Sequence, residues 1–157
     1  LPFREMAAIS QDRVDPIPAT LTGRWFADAD GSSLQAMVEF VGASGLFAEL
    51  RHSGGAVRTP NPAVCFAARD AEFVLTAVAI TPTPESGVAA SASAEQLMAA
   101  TKDHHAAMPG YLNFVELDER RRMVAHAFDT ETRQRLAAVK QTVDPDGLFG
   151  YGLALQP

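Results

Sequence analysis

The stretch Phe73–Ile80, FVLTAVAI, limits the folds open to this chain more than any other. Read with the two-residue period of a strand, it is apolar on both faces, and turn residues bound it at Arg69-Asp70 and from Thr81 onward. A strand with no polar face needs cover on both sides, which places it inside a sheet rather than at its edge. The reading extends it back to Glu72 and gives it a preceding partner strand, Val64–Ala68, across the Arg69-Asp70 turn.

The remaining elements follow from pattern and punctuation. Ala19–Ala27 (ATLTGRWFA) reads as a strand, with Leu21, Trp25 and Phe26 supplying bulk. Leu46–Val57 (LFAELRHSGGAV) reads as another, in which Gly54-Gly55 marks a bulge or a close backbone approach. Ser32-x-x-Gln35 is a capping box for a first helix with the apolar stripe Leu34, Met37, Val38 and Val41, ended by Gly42 and Gly45. Thr81–Val88 reads as a loop. Ser93-x-x-Gln96 opens a second helix, running to about Ala107 and stopped by Pro109-Gly110. Glu119–Ala127 is a third, broken at Phe128-Asp129-Thr130. Asp129 or Thr130 caps a fourth, whose Leu136, Val139 and Val143 recur at helical spacing until Asp144-Pro145-Asp146-Gly147 stops it. Residues 1–16 form a peripheral lead-in with a short helix around Phe3–Ile9, and Leu148–Pro157 is an apolar tail lying across the body. Strands interspersed with helices at hairpin-like spacing predict one α+β domain over residues 1–157, an antiparallel sheet with helices packed on one face.

Composition narrows the function classes. The chain has 157 residues, 47% of them apolar, which suffices for one domain with a core. A net charge of −6 argues against an extended nucleic-acid surface. Arg120-Arg121-Arg122 follows Asp118 and Glu119 and reads as a solvated helix face. Cys65, the single cysteine, excludes an intrachain disulfide, and between Val64 and Phe66 it reads as a buried, inert thiol. No run approaches the length of a membrane span, and no signal-peptide pattern opens the chain, so a cytoplasmic protein is expected. The chain begins at Leu1, not Met, which points to a piece of something longer.

Most catalytic constellations are missing. His52, His104, His105 and His126 form no metal-ligand spacing, and adjacent His104 and His105 on a helix would diverge by about 100°. Ser53 lies in no G-x-S-x-G elbow. Gly54-Gly55 is followed by Pro60 and Pro62, opens no helix, and so builds no phosphate cradle. Two polar residues stand out instead. Gly110–Leu117, GYLNFVEL, alternates like a strand, with Leu112 and Phe114 toward the core and Tyr111 and Asn113 side by side on the other face. By pattern alone, the pair reads as polar residues on the solvent face of a strand, with Tyr111 adding cross-strand packing.

Tyr111-Leu112-Asn113-Phe114, then Arg135-Leu136, Val139-Lys140 and Asp144-Pro145-Asp146-Gly147-Leu148-Phe149, resembles in order and spacing the C-terminal pattern of the berberine-bridge-enzyme-like FAD-linked oxidases. These are flavoproteins of the vanillyl-alcohol-oxidase type. Glu49-Leu50-Arg51-His52-x-Gly54-Gly55-Ala56 also resembles a stretch of that family's substrate-side sheet. The resemblance covers this whole chain but only about the last third of a family member. It implies an FAD-binding domain upstream, FAD in the full-length protein and none held by this part alone, and a small-molecule substrate oxidised by hydride transfer to flavin. It implies Asn113 at the isoalloxazine edge, and Tyr111 at the flavin as the substrate-side base or positioning group. Arg51 is carried over as a substrate-side residue, and Arg135 and Lys140 as bracing. A tyrosine base would need a shifted pKa or a relay, since free tyrosine titrates near ~10. Where many members carry a second tyrosine this chain has Phe114. The family's covalent-FAD cysteine lies outside this chain, so Cys65 does not take that part. The rival reading is a free-standing α+β module without flavin, which binds a small ligand or dimerises through an exposed sheet face.

Overall fold

The computed structural model describes residues 2–6, 8, 15–44 and 47–150. Four strands form one antiparallel sheet: β1 (Ala19–Phe26), β2 (Phe47–His52), β3 (Phe73–Ile80) and β4 (His105–Gly110), in the order β2-β3-β1-β4. Four helices pack against it: α1 (Gly31–Ser44), α2 (Pro84–Ala100), α3 (Leu117–Ala127) and α4 (Thr130–Val143). The fold is the expected α+β class, with FVLTAVAI inside the sheet. β3 pairs along its length with β1, from Ala19↔Ile80 to Phe26↔Phe73, and with β2, from Phe47↔Val78 to His52↔Phe73. Both edges of β3 are therefore taken, and no edge remains for a hairpin partner at Val64–Ala68. That segment is irregular, not a strand, and Cys65 within it is exposed rather than buried.

Residues directly opposite on paired strands share a sheet face. On one face, Phe26, Leu75, Ala77 and Ala79 form a core with Met37 and Phe40 of α1 and Ala90, Leu97 and Met98 of α2. On the other, Trp25 and Val74 pack with Ala68, Ala71, Ala106, Phe66 and Tyr111. Trp25, read from the sequence as supplying bulk to its strand, is thus sheet cover.

Several boundaries move, each for a local reason. Asp30, not Ser32, caps α1: its Oδ1 accepts the Ser32 and Ser33 amides at 2.8 and 3.0 Å, while Ser33 Oγ accepts the Asp30 amide at 3.0 Å. The buried line of α1 is Ser33, Met37 and Phe40; Leu34, Val38 and Val41 of the expected stripe stay exposed. α2 starts at Pro84, inside the expected loop, because Thr83 and Ser86 form the capping box and Pro84 suits a first helical position. Ser93 and Gln96 lie within it. It ends at Ala100 rather than Ala107, since residues 105–110 are drawn into pairing with β1, including Pro109-Gly110. β2 ends at His52, so Gly54-Gly55 is no mid-strand bulge; Gly55, at φ 60°, opens a 3-10 turn to Arg58. Residues 3–5 form a 3-10 turn where a short helix was expected; Ile9, Gly45, Leu46 and the tail from Tyr151 lie outside the described residues. No described helix is long and apolar enough to cross a membrane.

Candidate functional site

Tyr111–Phe114 is not a strand. β4 stops at Gly110, and Leu112–Phe114 is a 3-10 turn that folds back over the sheet. A 3-10 turn brings residues three apart onto one side. Tyr111 and Phe114 therefore stack, with centroids 5.2 Å apart and planes at 22°, instead of facing opposite ways. Asn113 stands exposed beside them. The alternation that put Leu112 and Phe114 together in the core does not survive.

Two glycines set this turn in place. A Cβ on Gly23 of β1 would lie 3.2 Å from Tyr111 Cδ1 and 3.4 Å from Phe114 Cβ, so the turn rests on bare backbone. A Cβ on Gly110 would lie 2.8 Å from both the Ala127 nitrogen and the Met123 oxygen, so α3 presses backbone to backbone where β4 ends. Tyr111 then reaches Trp25 edge-on at 4.9 Å, and Trp25 meets Phe66 at 5.3 Å. Arg69 lies over the Phe66 ring at 5.3 Å. Such edge contacts and the cation over the ring favour a rigid aromatic wall.

Tyr111 and Asn113 line a crevice of about 260 Å³ with Trp25, Phe66 and Phe128. It opens on the sheet face away from α1 and α2. Of the sequence-predicted residues, the structure brings these two to one apolar hollow. Arg51 shares their sheet face, in the cross-strand row Arg51–Val74–Trp25, but lies two strands out from Trp25. Its guanidinium is turned to Glu49, with Nη2 to Oε1 and Oε2 at 2.9 and 2.8 Å. Arg51 does not line the crevice.

The C-terminal part of the predicted signature, Lys140 to Phe149, is structural. Asp144 accepts the Leu148 and Phe149 amides at 2.8 and 3.1 Å and pairs with Lys140, whose Nζ also donates to the Phe149 carbonyl at 3.1 Å. Gly147, at φ 68°, allows the reversal. The spacing K-x-x-x-D-P-x-x-x-F is thus one closed C-terminal lock on α4. The Lys140 ammonium, first, and then the two amides hold the Asp144 carboxyl below the usual carboxylate range. Asp129 caps α4 as expected, accepting the Thr132 amide at 2.7 Å.

Sequence reasoning missed two polar groups on the other side of the molecule. Arg24, buried in β1, places Nη2 2.5 Å from Glu119 Oε1, and Thr22 Oγ1 donates to the same oxygen at 2.9 Å. Glu116 Oε1 accepts the Leu21 amide at 3.1 Å, where β4 no longer reaches β1. These bonds stitch α3 to β1 beside a cleft of about 570 Å³. The available signal was a lone charged residue, Arg24, on the helix-covered face of β1, in line with Thr20, Thr22 and Phe26.

The adjacent histidines also part ways. His104 Nδ1 lies 2.6 Å from Asp28 and Nε2 3.3 Å from Asp30; the Asp28 hydrogen bond raises its pKa against a smaller opposing effect of burial. His105 turns inward against Phe26, and burial, then the Arg24 charge, lowers it to about 4. No cluster of three or more histidine, cysteine, aspartate or glutamate side chains among the described residues is arranged to hold a metal ion. No protein-family model matches this chain, and no curated protein matches it.

Proposed function

We propose that the chain is the substrate-side region of an FAD-linked oxidoreductase that oxidises a small organic molecule. The observation that carries this reading is that Tyr111 and Asn113 line one aromatic-walled crevice, on the sheet face that α1 and α2 leave free. That is the pairing the Tyr-x-Asn resemblance requires, and it arises here from a turn rather than a strand.

The residues fit one edge of a flavin and not its retention. Asn113 is exposed and offers both a donor and an acceptor to a ring edge, with an aromatic platform beside it. The glycine-bearing turn after β2 opens no long helix, so a pyrophosphate has no cradle there. The cofactor would be held mainly by an FAD-binding domain upstream. Bound there, it supplies an acceptor for the hydride leaving a substrate carbon. Tyr111 takes or positions the substrate hydroxyl proton, Asn113 fixes the cofactor edge, and Trp25 with Phe66 shapes an apolar wall that excludes water. Arg51 has no part in this unless its pairing with Glu49 is broken.

The rival is a flavin-free binding module, for which the crevice's own aromatic lining would serve as the ligand site. In the intact flavoenzyme, Tyr111→Phe is expected to lower kcat by roughly 10²-fold or more while leaving bound flavin unchanged. Unaltered turnover removes Tyr111 from the chemistry.

A further inference from the structure

The outer edge of β2 carries a self-complementary pattern that the fold leaves unused. β2 ends the sheet, and no described strand pairs with its outer side. The inner ladder fixes where its backbone groups point. Ser53 N–H donates to Glu72 O at 2.7 Å, and those residues continue the Phe47↔Val78 register. The odd-numbered residues Glu49, Arg51 and Ser53 therefore turn their N–H and C=O toward β3, while Ala48, Leu50 and His52 turn theirs outward. Unpaired outward groups of this kind are a template for another strand.

We propose that a second copy of this chain adds to that edge, β2 against β2, giving one antiparallel sheet with four strands from each copy. Consider the pairing centred on Leu50. Leu50 faces its own counterpart, and Ala48 faces His52 of the second copy. These are the residues whose amides and carbonyls point outward, so the new ladder is matched on both sides. Between them Glu49 meets Arg51 of the second copy, twice by symmetry, in the non-hydrogen-bonded positions where side chains stand closest. The two ion pairs now made within the strands, one in each copy with Nη2 to Oε2 at 2.8 Å, are exchanged for two across the interface.

No neighbouring register does as well. A slip of one residue sets inward-pointing backbone against outward-pointing backbone. A slip of two sets Glu49 against Glu49, or Arg51 against Arg51. Charge and hydrogen-bond parity together select one register.

A second feature points the same way. The two-fold axis of such a pair is normal to the sheet, so both α1 helices stand on the same side. α1 lies over β2, while α2 lies inward over β1 and β3. The exposed residues Leu34, Val38 and Val41 lie roughly 100° around α1 from the buried Met37–Phe40 line, at about 100° per residue. A neighbouring α1 supplies cover for that apolar stripe, which the monomer's core does not use.

Sedimentation velocity over a range of concentrations is the test. The wild-type chain is expected to show a concentration-dependent monomer–dimer equilibrium that weakens with salt. Glu49→Arg and Arg51→Glu should each raise the dimer Kd by at least about tenfold, because each puts like charges opposite. Mixed together, these two variants should recover a heterodimer, since each then offers what the other lacks. Ala48→Pro removes an outward N–H without touching the β3 ladder and should weaken the dimer while the circular dichroism holds. A wild-type chain that stays monomeric throughout overturns the proposal. So does a mixture no more associated than its components, or a dimer indifferent to all three changes. Slow amide exchange at Ala48, Leu50 and His52 in a monomer would mean that this chain's own residues cover the edge, and overturns it as well.

Discussion

Asp144 and the His104–His105 pair show how single side chains fix this molecule locally. Asp144 gathers Lys140 and two backbone amides, so a run that reads as a helix stop is in fact a closed turn. Asp144→Asn is expected to lower the unfolding midpoint at neutral pH. Because the folded carboxyl titrates below its usual value, the wild-type advantage is present above that value and is lost as pH falls through the folded pKa. Urea melts of both proteins at pH 7 and in acid should converge; a gap that persists unchanged would contradict the lock. His105 works on a different window. Its folded pKa of about 4 lies under the unfolded value near 6.5, so the unfolded chain takes up a proton that the fold refuses. Stability should fall as pH drops from 6.5 toward 4 and lose nothing further from this group below that. His104 has the opposite sign: its contribution is full below 6.5 and is lost as pH rises through its raised value. An NMR titration should therefore show two neighbouring imidazoles with midpoints on opposite sides of 6.5. Coincident midpoints would show that the Asp28 contact and the burial of His105 are not present in solution.

At the level of elements, what the sequence made legible was what local chemistry decides. FVLTAVAI announces an interior strand because both faces are apolar, and Asp129 announces the start of α4 because its carboxylate satisfies a free amide. Where pairing partners decide, the pattern misleads. Tyr111-Leu112-Asn113-Phe114 alternates like a strand, but its neighbour β1 offers Gly23 at that point, and a turn drops into the space. Residues 101–107 carry helix-compatible alanines, yet pairing with β1 takes them from His105 on. The expected α1 stripe mixes Met37, which the core uses, with Leu34, Val38 and Val41, which it does not. Tyr111 and Asn113 come together through a 3-10 turn and not through strand alternation, and the aromatic wall of Trp25 and Phe66 leaves no local sequence signal because its members lie far apart in the chain. Gly23→Ala tests the corrected geometry. The added methyl meets the Tyr111 ring and the Leu75 carbonyl, at 3.2 and 3.1 Å. It should cost about 1–3 kcal/mol and alter the near-ultraviolet signal of Trp25, the only tryptophan. An unchanged Trp25 signal would mean that the turn does not rest on the strand.

Across the whole molecule, the two faces of the sheet have different tasks. One is sealed by α1 and α2 and supplies the larger core; the other carries the Tyr111 turn, the irregular segment around Phe66 and the charged pair Glu49–Arg51. Along α4 and the lock that ends it, Val139, Val143, Leu148 and Phe149 are exposed, so the apolar spacing read along this helix is not covered by the sheet, and Leu148 and Phe149 do not lie buried against the body. Under the proposed function, this exposed apolar surface is where a flavin-bearing domain would dock. The most direct measurement is the visible absorption spectrum of the protein purified from the intact gene, alongside its mass on a denaturing gel. The expected product is a chain longer than this one, yellow, with the two visible bands of oxidised flavin. A colourless product no longer than these 157 residues would contradict it, and would return Tyr111 and Asn113 to the rim of an ordinary apolar binding crevice.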